Sequence, residues 1–311
     1  ATTVVTDDAD ATTVSLTASP NVAEGGAITY TATLTNAAQT PVAVTLSNGA
    51  VITIAAGATT GSVSVAAPAD DVYVDAGNVS ATIANATGGN FEALAIDPAA
   101  ASTAVSDTVD TTTVSLSGPG SVSEGGSATY TVSLTSPAQS AVTVNLTYSG
   151  TAADGSDYTG IASVVIPAGA GSASFTLSTL DDALAEGAES LVVGIAGAVG
   201  GNFENLAVSG VAGSVSTTLV DNDTPTLTVS DIGVVEGNLA VFTVSLSNPS
   251  TVATTFTPVL TSGTATLGSD TAAAGTLEWF DGAAWQPVVG DVTIAAGNTS
   301  VQLRLATSDD A

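Results

Sequence analysis

The sequence predicts an all-β chain of tandem antiparallel β-sandwich repeats arranged end to end. Three observations predict this fold class. Several motifs recur in the same order, apolar residues alternate with Thr and Ser, and 44% of residues are hydrophobic although only 4% are aromatic. Small branched side chains suit short pleated strands better than helices with bulky cores. The length of 311 residues is too great for one sandwich and fits three repeats of roughly 100 residues.

The first recurring motif is an acidic turn followed by an alternating run. The turn occurs at residues 22–26 (VAEGG), 122–126 (VSEGG) and 235–238 (VEGN). The runs that follow are residues 28–34 (ITYTATL), 128–134 (ATYTVSL) and 240–246 (AVFTVSL). A period of two is typical of a strand with one buried and one solvated face. In the first run we expect the core-facing set to be Ile28, Tyr30, Ala32 and Leu34.

Two further motifs complete the repeat. One occurs at residues 54–57 (IAAG), 166–169 (IPAG) and 294–297 (IAAG). Each copy reads as a strand that ends in a Gly turn, and the alternating strand after it runs into a pair of acids. These pairs are Asp70-Asp71, Asp181-Asp182 and Asp309-Asp310. The other motif, GGNFE, occurs at residues 88–92 and 200–204.

The motifs divide the chain into four segments separated by short acidic seams at residues 6–11, 106–111 and 221–224. A flexible linker would be longer and rich in Gly or Ser, so we expect the repeats to be held end to end. The segments are 1–10, the last strand of a preceding repeat with its seam; 11–110, the first repeat; 111–223, the second repeat; and 224–311, a third repeat truncated at its C-terminus.

Two interpretations account for the orphan N-terminal strand and the truncated third repeat. The simpler one is that the sequence is a window cut from a longer array. The alternative is that the orphan strand completes the truncated sandwich of the next subunit, as in donor-strand polymers.

Charge narrows the range of functions. The chain has 29 acidic residues against one basic residue, Arg304, and a net charge of -28. This charge repels phosphate backbones and anionic lipid surfaces, so nucleic-acid binding is excluded. It also opposes compaction unless cations neutralise it. Scattered acids would indicate a solubilising surface, whereas acids that cluster and recur in register favour metal binding.

Missing residue types exclude other kinds of cross-link and catalyst. The chain has no Cys, Lys or His, so it can form no disulfide and no Lys–Asn isopeptide bond, and it lacks the usual imidazole base and ligand. No apolar run approaches the ~18 residues of a membrane span, and the N-terminus does not resemble a signal peptide. No phosphate-binding loop, nucleophile elbow or dinucleotide motif is visible. We therefore expect no enzymatic activity and no membrane insertion.

Acidic motifs span essentially the whole second repeat: residues 124–126 (EGG), 155–158 (GSDY), 181–189 (DDALAEGAE) and 221–223 (DND). With these motifs the repeat resembles a Calx-beta domain, the Ig-like β-sandwich module of sodium–calcium exchangers that recurs in bacterial surface proteins. In that family these positions gather at one end of the sandwich and bind clustered calcium ions. The resemblance implies as ligands the carboxylates of Glu124, Asp157, Asp181, Asp182, Glu186, Glu189, Asp221 and Asp223. It also implies the backbone carbonyl of Leu184, while Asn222 replaces an acid common in the family.

The chemistry of calcium agrees with this implication. Ca²⁺ needs about six to eight oxygens at about 2.3–2.6 Å, which several carboxylates and carbonyls can supply. Loops far apart in sequence can meet because Ig-like sandwiches cluster their loops at two ends. Asp221 and Asp223 lie at a seam, so we expect the metal to lie between successive repeats.

The other two repeats carry smaller acidic sets. The third has Glu236, Asp270, Asp309 and Asp310. The first has Glu24, Asp70, Asp71, Asp75 and Asp107, lacks the GSD loop, and is expected to bind fewer ions. It resembles the Ig-like extender repeats of large type I secreted bacterial adhesins, the RTX adhesins. In the third repeat, an insert holds Trp279 and Trp285, which we expect to form a hairpin packed on the sandwich, with a sugar-binding platform as the alternative.

These observations favour calcium-stabilised extender repeats, the stalk of a secreted bacterial adhesin. The stalk is expected to project a ligand-binding region from the cell surface for adhesion and biofilm formation. Its expected partners are neighbouring repeats of the same chain. The alternatives are a self-assembling filament or S-layer subunit with homopolymer contacts, and a module that binds surface glycans.

Overall fold

The computed structural model describes residues 2–5, 8, 10–273 and 276–309. These residues form 27 β-strands and no α-helix, so no helix in this part of the chain is long and apolar enough to cross a bilayer. The strands build three successive sandwiches, each with its own cluster of buried hydrophobic side chains. The predicted all-β fold of tandem sandwiches is confirmed.

The first sandwich contains ten strands. They are β1 (Ala11–Ala18), β2 (Asn21–Ala23), β3 (Ala27–Leu34), β4 (Val42–Leu46), β5 (Val51–Ile54), β6 (Thr60–Ala66), β7 (Gly77–Ala81), β8 (Ile83–Gly88), β9 (Ala93–Ile96) and β10 (Ala101–Ser106). One layer has the order β6-β3-β1-β9, and the remaining strands pair as β5-β4-β8 and β2-β10-β7. Only Thr82 separates β7 from β8.

The second sandwich repeats this plan with two complete sheets. Its strands are β11 (Thr111–Ser117), β12 (Ser121–Ser123), β13 (Ser127–Leu134), β14 (Val142–Gly150), β15 (Tyr158–Thr159), β16 (Ser163–Ile166), β17 (Ser172–Thr179), β18 (Glu189–Gly200), β19 (Asn205–Val208) and β20 (Ser214–Val220). The sheet orders are β15-β17-β13-β11-β19 and β12-β20-β18-β14-β16. Strand β18 is continuous over 12 residues. It pairs with both β20 and β14, whereas in the first sandwich the corresponding pairs are made by two separate strands, β7 and β8.

The third sandwich is smaller. Its strands are β21 (Leu227–Val229), β22 (Leu239–Leu246), β23 (Thr254–Phe256), β24 (Glu278–Phe280), β25 (Trp285–Pro287), β26 (Val292–Ile294) and β27 (Ser300–Ala306). They form a sheet of order β21-β22-β27-β24-β25 and a pair β23-β26. Strands β24 and β25 form an antiparallel hairpin that extends the sheet from β27, as expected for the tryptophan insert.

Alternation along the strands builds the cores. In β3 the side chains of Ile28, Tyr30, Ala32 and Leu34 are all buried, as the period-two pattern predicts. The intervening Thr29, Thr31 and Thr33 are more exposed. The counterparts in β13, Ala128, Tyr130 and Val132, are fully buried in the second core. The pattern therefore fixes which face of each central strand points inward.

Most strand pairs are antiparallel, but four are parallel: β1–β9, β2–β10, β11–β19 and β12–β20. In the first sandwich, Ala23 of β2 pairs with Ser106 of β10. In the second, Ser123 of β12 pairs with Val220 of β20. Parallel strands end at the same edge of a sheet, so the acids that follow each pair are brought to one pole of the sandwich.

The described residues of the N-terminal segment, 2–5, 8 and 10, do not lie in a strand. Residues 2–5 have no regular structure, and Val4 and Val5 are largely exposed. Residues 1, 6, 7 and 9 lie outside the described residues. The assignment of residues 1–10 to the last strand of a preceding repeat stays a prediction.

Candidate metal centres

The pole of each repeat is built from strand ends that are distant in sequence. The backbone N–H of Glu24, which follows β2, donates to the carbonyl of Ser106 at the end of β10 (3.0 Å). The N–H of Glu124 donates in the same way to the carbonyl of Val220 (3.1 Å). The parallel pairs thus place the glutamate of each VxEGG turn beside the acids that follow the last strand, Asp107 in the first repeat and Asp221 and Asp223 in the second.

The glycine after each glutamate lets the acid pair approach. Gly125 has φ +67°, and a Cβ on it would lie 3.1 Å from Cβ of Asp181. Gly25 and Gly237 have similar positive φ and face Asp70 and Asp309 in the same way. A left-handed backbone without a side chain is therefore needed where the turn meets the end of the neighbouring strand.

One carboxylate cluster in the second repeat consists of Glu124, Asp181 and Asp223, whose ligand oxygens lie within 4.8 Å of one another. Oxygens on opposite sides of a calcium ion are about 4.6–5.2 Å apart, twice the Ca–O distance. The three carboxylates are therefore close enough to share one coordination sphere. Asn222 donates from Nδ2 to Oδ1 of Asp181 (2.9 Å), so this amide orients a carboxylate of the cluster.

A second cluster in the same repeat consists of Asp157, Glu186 and Glu189. Oδ2 of Asp157 accepts a hydrogen bond from the N–H of Ala153 (2.5 Å), which holds the GSD loop. Asp221 links the two clusters, because its Oδ2 accepts from the N–H of Glu186 (2.7 Å) and its Oδ1 accepts from the N–H of Asp223 (2.8 Å). The backbone around the two clusters is therefore held by hydrogen bonds to Asp157, a member of the second cluster, and to Asp221, which lies between them.

The third cluster joins two repeats. It consists of Glu24 and Asp107 from the first repeat and Glu204 from the second, again within 4.8 Å. Oδ1 of Asp107 accepts a long hydrogen bond from the N–H of Asp75 (3.4 Å). Oε2 of Glu204 accepts from the N–H of Asp110 in the seam (2.6 Å). The cluster therefore lies where one sandwich abuts the next.

Residues 72–74 of the first repeat and 202–204 of the second form a short antiparallel contact, with Tyr73 opposite Phe203. The N–H of Val74 donates to the carbonyl of Asn202 and the N–H of Glu204 donates to the carbonyl of Val72, each at 3.0 Å. The rings of Tyr73 and Phe203 stack at 5.5 Å, and the Tyr73 hydroxyl donates to the carbonyl of Pro137 (2.6 Å). The seam is therefore a packed junction.

The second and third repeats also touch. The N–H of Ala185 donates to the carbonyl of Pro249 (2.9 Å), and the N–H of Thr251 donates to the carbonyl of Ala185 (3.0 Å). Ala185 lies between Leu184 and Glu186 in the acidic loop. The loop that carries ligands of the second cluster therefore also contacts the next repeat.

Several carboxylate oxygens in these clusters are buried without a hydrogen-bond partner. They are Oε2 of Glu24, Oε2 of Glu124, Oε1 of Glu204 and Oδ2 of Asp223. A buried acceptor with no donor is costly, and a carboxylate without a counter-charge is more so. A hard divalent cation would satisfy these oxygens, and oxygen-only donor sets suit calcium. The residues at the poles therefore fit calcium.

Crowding raises the pKa of several acids. The pKa of Glu24 is raised from 4.5 to about 7, chiefly by a hydrogen bond with the Asp75 side chain and then by burial and neighbouring negative charges. The pKa of Glu124 is also raised to about 7, chiefly by burial and then by the charge of Asp221. Burial is the largest cause of the raised pKa values of Glu186, Glu189 and Asp223.

The structure brings eight of the predicted ligands into the three clusters: Glu24, Asp107, Glu124, Asp157, Asp181, Glu186, Glu189 and Asp223. Asp182 and Asp221 stand beside them, and the charges of both raise the pKa of Glu124. The N–H of Leu184 donates to Oδ1 of Asp182 (2.7 Å). Metal binding by the Leu184 carbonyl stays a prediction.

Six other predicted ligands belong to no cluster of three among the described residues: Asp70, Asp71, Asp75, Glu236, Asp270 and Asp309. Asp70 accepts a hydrogen bond from the hydroxyl of Thr108, which lies after β10, and Asp71 accepts one from the N–H of Tyr73 two residues later. Asp310 lies outside the part of the chain that is described.

Glu204 was not predicted as a ligand. The signal was present, since GGNFE recurs with a glutamate at Glu92 and Glu204. It was missed because the motif lies at the opposite pole of its own repeat and meets the other acids only across a junction.

The tryptophan hairpin of the third repeat contacts Arg304, the single basic residue of the chain, which lies in the neighbouring strand β27. Nε of Arg304 pairs with Oε2 of Glu278 at 2.6 Å, and the guanidinium lies 4.3 Å from the centre of the Trp285 ring. Phe280 and Trp285 pack with tilted rings 5.4 Å apart. Trp279 lines a separate groove with Asp281, Asn298 and Gln302.

Known proteins resemble the chain at two levels. A family model described as "LapA domain" matches residues 10–108 and 110–222, the first and second sandwiches. Similar solved structures include the apo-form Calx CBD1 domain, with 18% identity and a TM-score of 0.32 over 37% of this chain and 100% of that chain. CBD12 from CALX1.2 has 15% identity and a TM-score of 0.32 over 64% of this chain and 76% of that chain.

Escherichia coli alpha-2-macroglobulin in its native conformation has 12% identity and a TM-score of 0.23. This similarity covers 96% of this chain and 21% of that protein. No curated protein matches the chain.

Proposed function

The chain belongs to the LapA domain family, named after a large adhesin, and from this premise we propose that it is a calcium-stabilised stalk segment of a secreted bacterial adhesin of the RTX type. Its repeats hold a ligand-binding region away from the cell surface and serve adhesion and biofilm formation. Its role is structural, and it catalyses no reaction.

One observation carries the calcium part of this proposal. Carboxylates from distant strand ends meet in three clusters, and four of their buried oxygens have no hydrogen-bond donor. The chain has 29 acidic residues and one basic residue, so spreading the acids apart would reduce the electrostatic repulsion between them. The carboxylates of the three clusters are instead concentrated at the poles. A shared cation explains both the concentration and the missing donors.

In the second repeat, Glu124, Asp181 and Asp223 would hold one ion, and Asp157, Glu186 and Glu189 would hold another. Bound calcium supplies positive charge that cancels the repulsion among these carboxylates. An ion at about 100-fold excess over its dissociation constant would stabilise the folded state by about 2.7 kcal/mol. Poles that contact the next repeat would then be firm only when the ions are bound.

The test is to compare the whole chain in calcium, in excess chelator and in magnesium. We expect calcium to raise the melting temperature and to narrow the range of dimensions seen by small-angle X-ray scattering. Magnesium serves as a control for general charge screening. It has the same charge as calcium but does not readily give up its bound waters to protein ligands. If chelator changes neither the melting temperature nor the scattering, the calcium-stabilised stalk is wrong.

The groove beside the hairpin supports a second candidate function, glycan binding. Trp279 lines it with Asp281, Asn298 and Gln302, and an aromatic ring flanked by amide and carboxylate groups suits a sugar. Trp285 is a poorer platform because Arg304 lies over its ring. Glycan-array binding that is lost in Trp279→Ala would support this role. Absence of binding by the intact chain would exclude glycans of the array.

A further inference from the structure

We propose that the calcium site of the first repeat is completed by Glu204 of the second, so that ion binding and the docking of the two repeats form one equilibrium. This inference rests on the proposed calcium function and assigns a ligand that lies outside the acidic motifs of the second repeat. The ion at this site is a bridge between repeats.

The GGNFE loop positions the Glu204 carboxylate. Gly200, Gly201 and Asn202 all have positive φ, from 61° to 105°, so the chain turns sharply. Nδ2 of Asn202 donates to Oε1 of Gln139 (2.8 Å) and to the carbonyl of Val74 (3.2 Å). Phe203 is buried. The loop is therefore anchored to both repeats immediately before Glu204.

Glu204 is held at the junction by its backbone and by one of its two carboxylate oxygens. Its N–H donates to the carbonyl of Val72 (3.0 Å), and its Oε2 accepts from the N–H of Asp110 (2.6 Å). Its Oε1 is buried and has no donor. These bonds leave one oxygen of Glu204 free for the cluster with Glu24 and Asp107.

The first repeat also presents a carboxylate oxygen that can accept a cation. Glu24 is only 7% exposed, and its Oε2 is buried without a donor. This buried oxygen receives no hydrogen bond, so it requires either a proton or a cation. The oxygens of Glu24, Asp107 and Glu204 lie within 4.8 Å of one another, so a cation that reaches one of them reaches all three.

This site differs from the two clusters of the second repeat in where its ligands come from. Those clusters draw only on residues of the second repeat, whereas this cluster takes Glu24 and Asp107 from the first repeat and Glu204 from the second. If the junction opens, the ion loses one charged ligand. Calcium binding and docking of the two repeats are linked. If docking increases the affinity for calcium by some factor, calcium increases the equilibrium constant for docking by the same factor. This ion therefore acts on the junction itself.

The test compares Glu204→Gln with Glu92→Gln in the whole chain. Gln keeps an oxygen that can accept the bond from Asp110 but removes the charge. Glu92 is the matched control, because it occupies the same loop position, accepts the same bond from the N–H of Asp10 (2.6 Å), and belongs to none of the clusters found among the described residues. Calcium binding is measured by calorimetry. Junction closure is measured by hydrogen exchange of the Val74 and Glu204 amides.

We expect Glu204→Gln to weaken one calcium site by about tenfold or more and to abolish the calcium-dependent protection of the Val74 amide. Glu92→Gln should retain both. Equal calcium affinity and equal protection in Glu204→Gln and the unaltered chain would overturn the bridge. If the unaltered chain binds no calcium, the proposed function fails as well, so the two failures are distinguishable.

A second variant tests the coupling without touching a ligand. Tyr73→Ala removes the stack on Phe203 and the bond to Pro137. If docking and calcium binding are one equilibrium, Tyr73→Ala weakens the same site that Glu204→Gln weakens and leaves the sites of the second repeat unchanged. Full retention of that site in Tyr73→Ala would overturn the coupling.

Discussion

The backbone amide of Asp110 donates a 2.6 Å hydrogen bond to the carboxylate of Glu204, 94 residues later in the chain. Asp110 lies in the seam after β10, and Glu204 lies in the loop before β19. The seam is thereby tied to the adjoining pole of the repeat that follows it. This short acidic seam is therefore a fixed part of a junction, and it lies beside the carboxylates of the third cluster.

Glu124→Gln should change stability in opposite directions with and without calcium. In chelator near neutral pH, the substitution should raise the free energy of unfolding, because it removes a buried charge whose pKa is raised to about 7. In excess calcium it should lower the free energy of unfolding, because a ligand is lost. Urea unfolding in both conditions measures this, with exposed Glu92→Gln as the control. A shift of the same sign in both conditions would argue against metal binding by Glu124.

Without calcium, stability should depend on pH through the crowded acids. The pKa values of Glu24 and Glu124 are raised from 4.5 to about 7, so the folded chain binds more protons than the unfolded chain between these values. Their contribution to stability is full below the unfolded pKa and is lost as the pH rises through about 7. We expect the melting temperature in chelator to fall from about pH 5 to about pH 8. Added calcium should raise the melting temperature more at pH 8 than at pH 5. A flat profile in chelator would contradict this.

Gly125→Ala should destabilise the second repeat. The residue has φ +67°, and the added Cβ would lie 3.1 Å from Cβ of Asp181. We expect a loss of about 1 kcal/mol or more and weaker calcium binding, because Asp181 must move. Gly171→Ala is the control, since its Cβ would meet nothing within 4 Å and its φ is not in the left-handed range. Equal unfolding midpoints for both variants would show that the turn tolerates a side chain.

Tyr30 and Tyr130 should respond differently to the loss of their hydroxyl groups. The hydroxyl of Tyr130 hydrogen-bonds to Oγ1 of Thr217 (2.7 Å), whereas the hydroxyl of the equivalent Tyr30 is buried without a partner. We expect Tyr130→Phe to cost about 1 kcal/mol and Tyr30→Phe to be neutral or stabilising. Urea unfolding in calcium measures both, and the two tyrosines serve as controls for each other. A cost at Tyr30 equal to that at Tyr130 would mean that its hydroxyl has a partner.

Much of the fold follows directly from the sequence. The alternation of Ile28, Tyr30, Ala32 and Leu34 predicts the buried face of β3, because a strand has a period of two. The recurring motifs also predict that acids of one repeat meet at one pole. These acids are Glu24 and Asp107 in the first repeat, and Glu124, Asp181 and Asp223 in the second. Their meeting depends on the parallel pairs β2–β10 and β12–β20, and three-residue strands such as β2 leave too little pattern to predict a pairing.

The rest depends on contacts that no single repeat contains. Glu204 becomes part of a cluster because residues 202–204 pack against residues 72–74 of the preceding repeat. Asp71, in contrast, has the expected place in an acid pair, but its Oδ1 accepts a bond from the N–H of Tyr73 (2.7 Å). Its position was predictable from the motif, whereas the direction of its side chain depends on a local turn.

The parallel pairing of strands near the two ends of a repeat has a mechanical consequence. In the first sandwich, β2 lies near the N-terminal end, β10 lies at the C-terminal end, and they run side by side in the same direction. Tension applied through the neighbouring repeats pulls these strands in opposite directions along their length. Their hydrogen bonds are then loaded in shear, all at once, and cannot be peeled apart one by one. Parallel pairing of this kind opposes extension of the repeat along its strands.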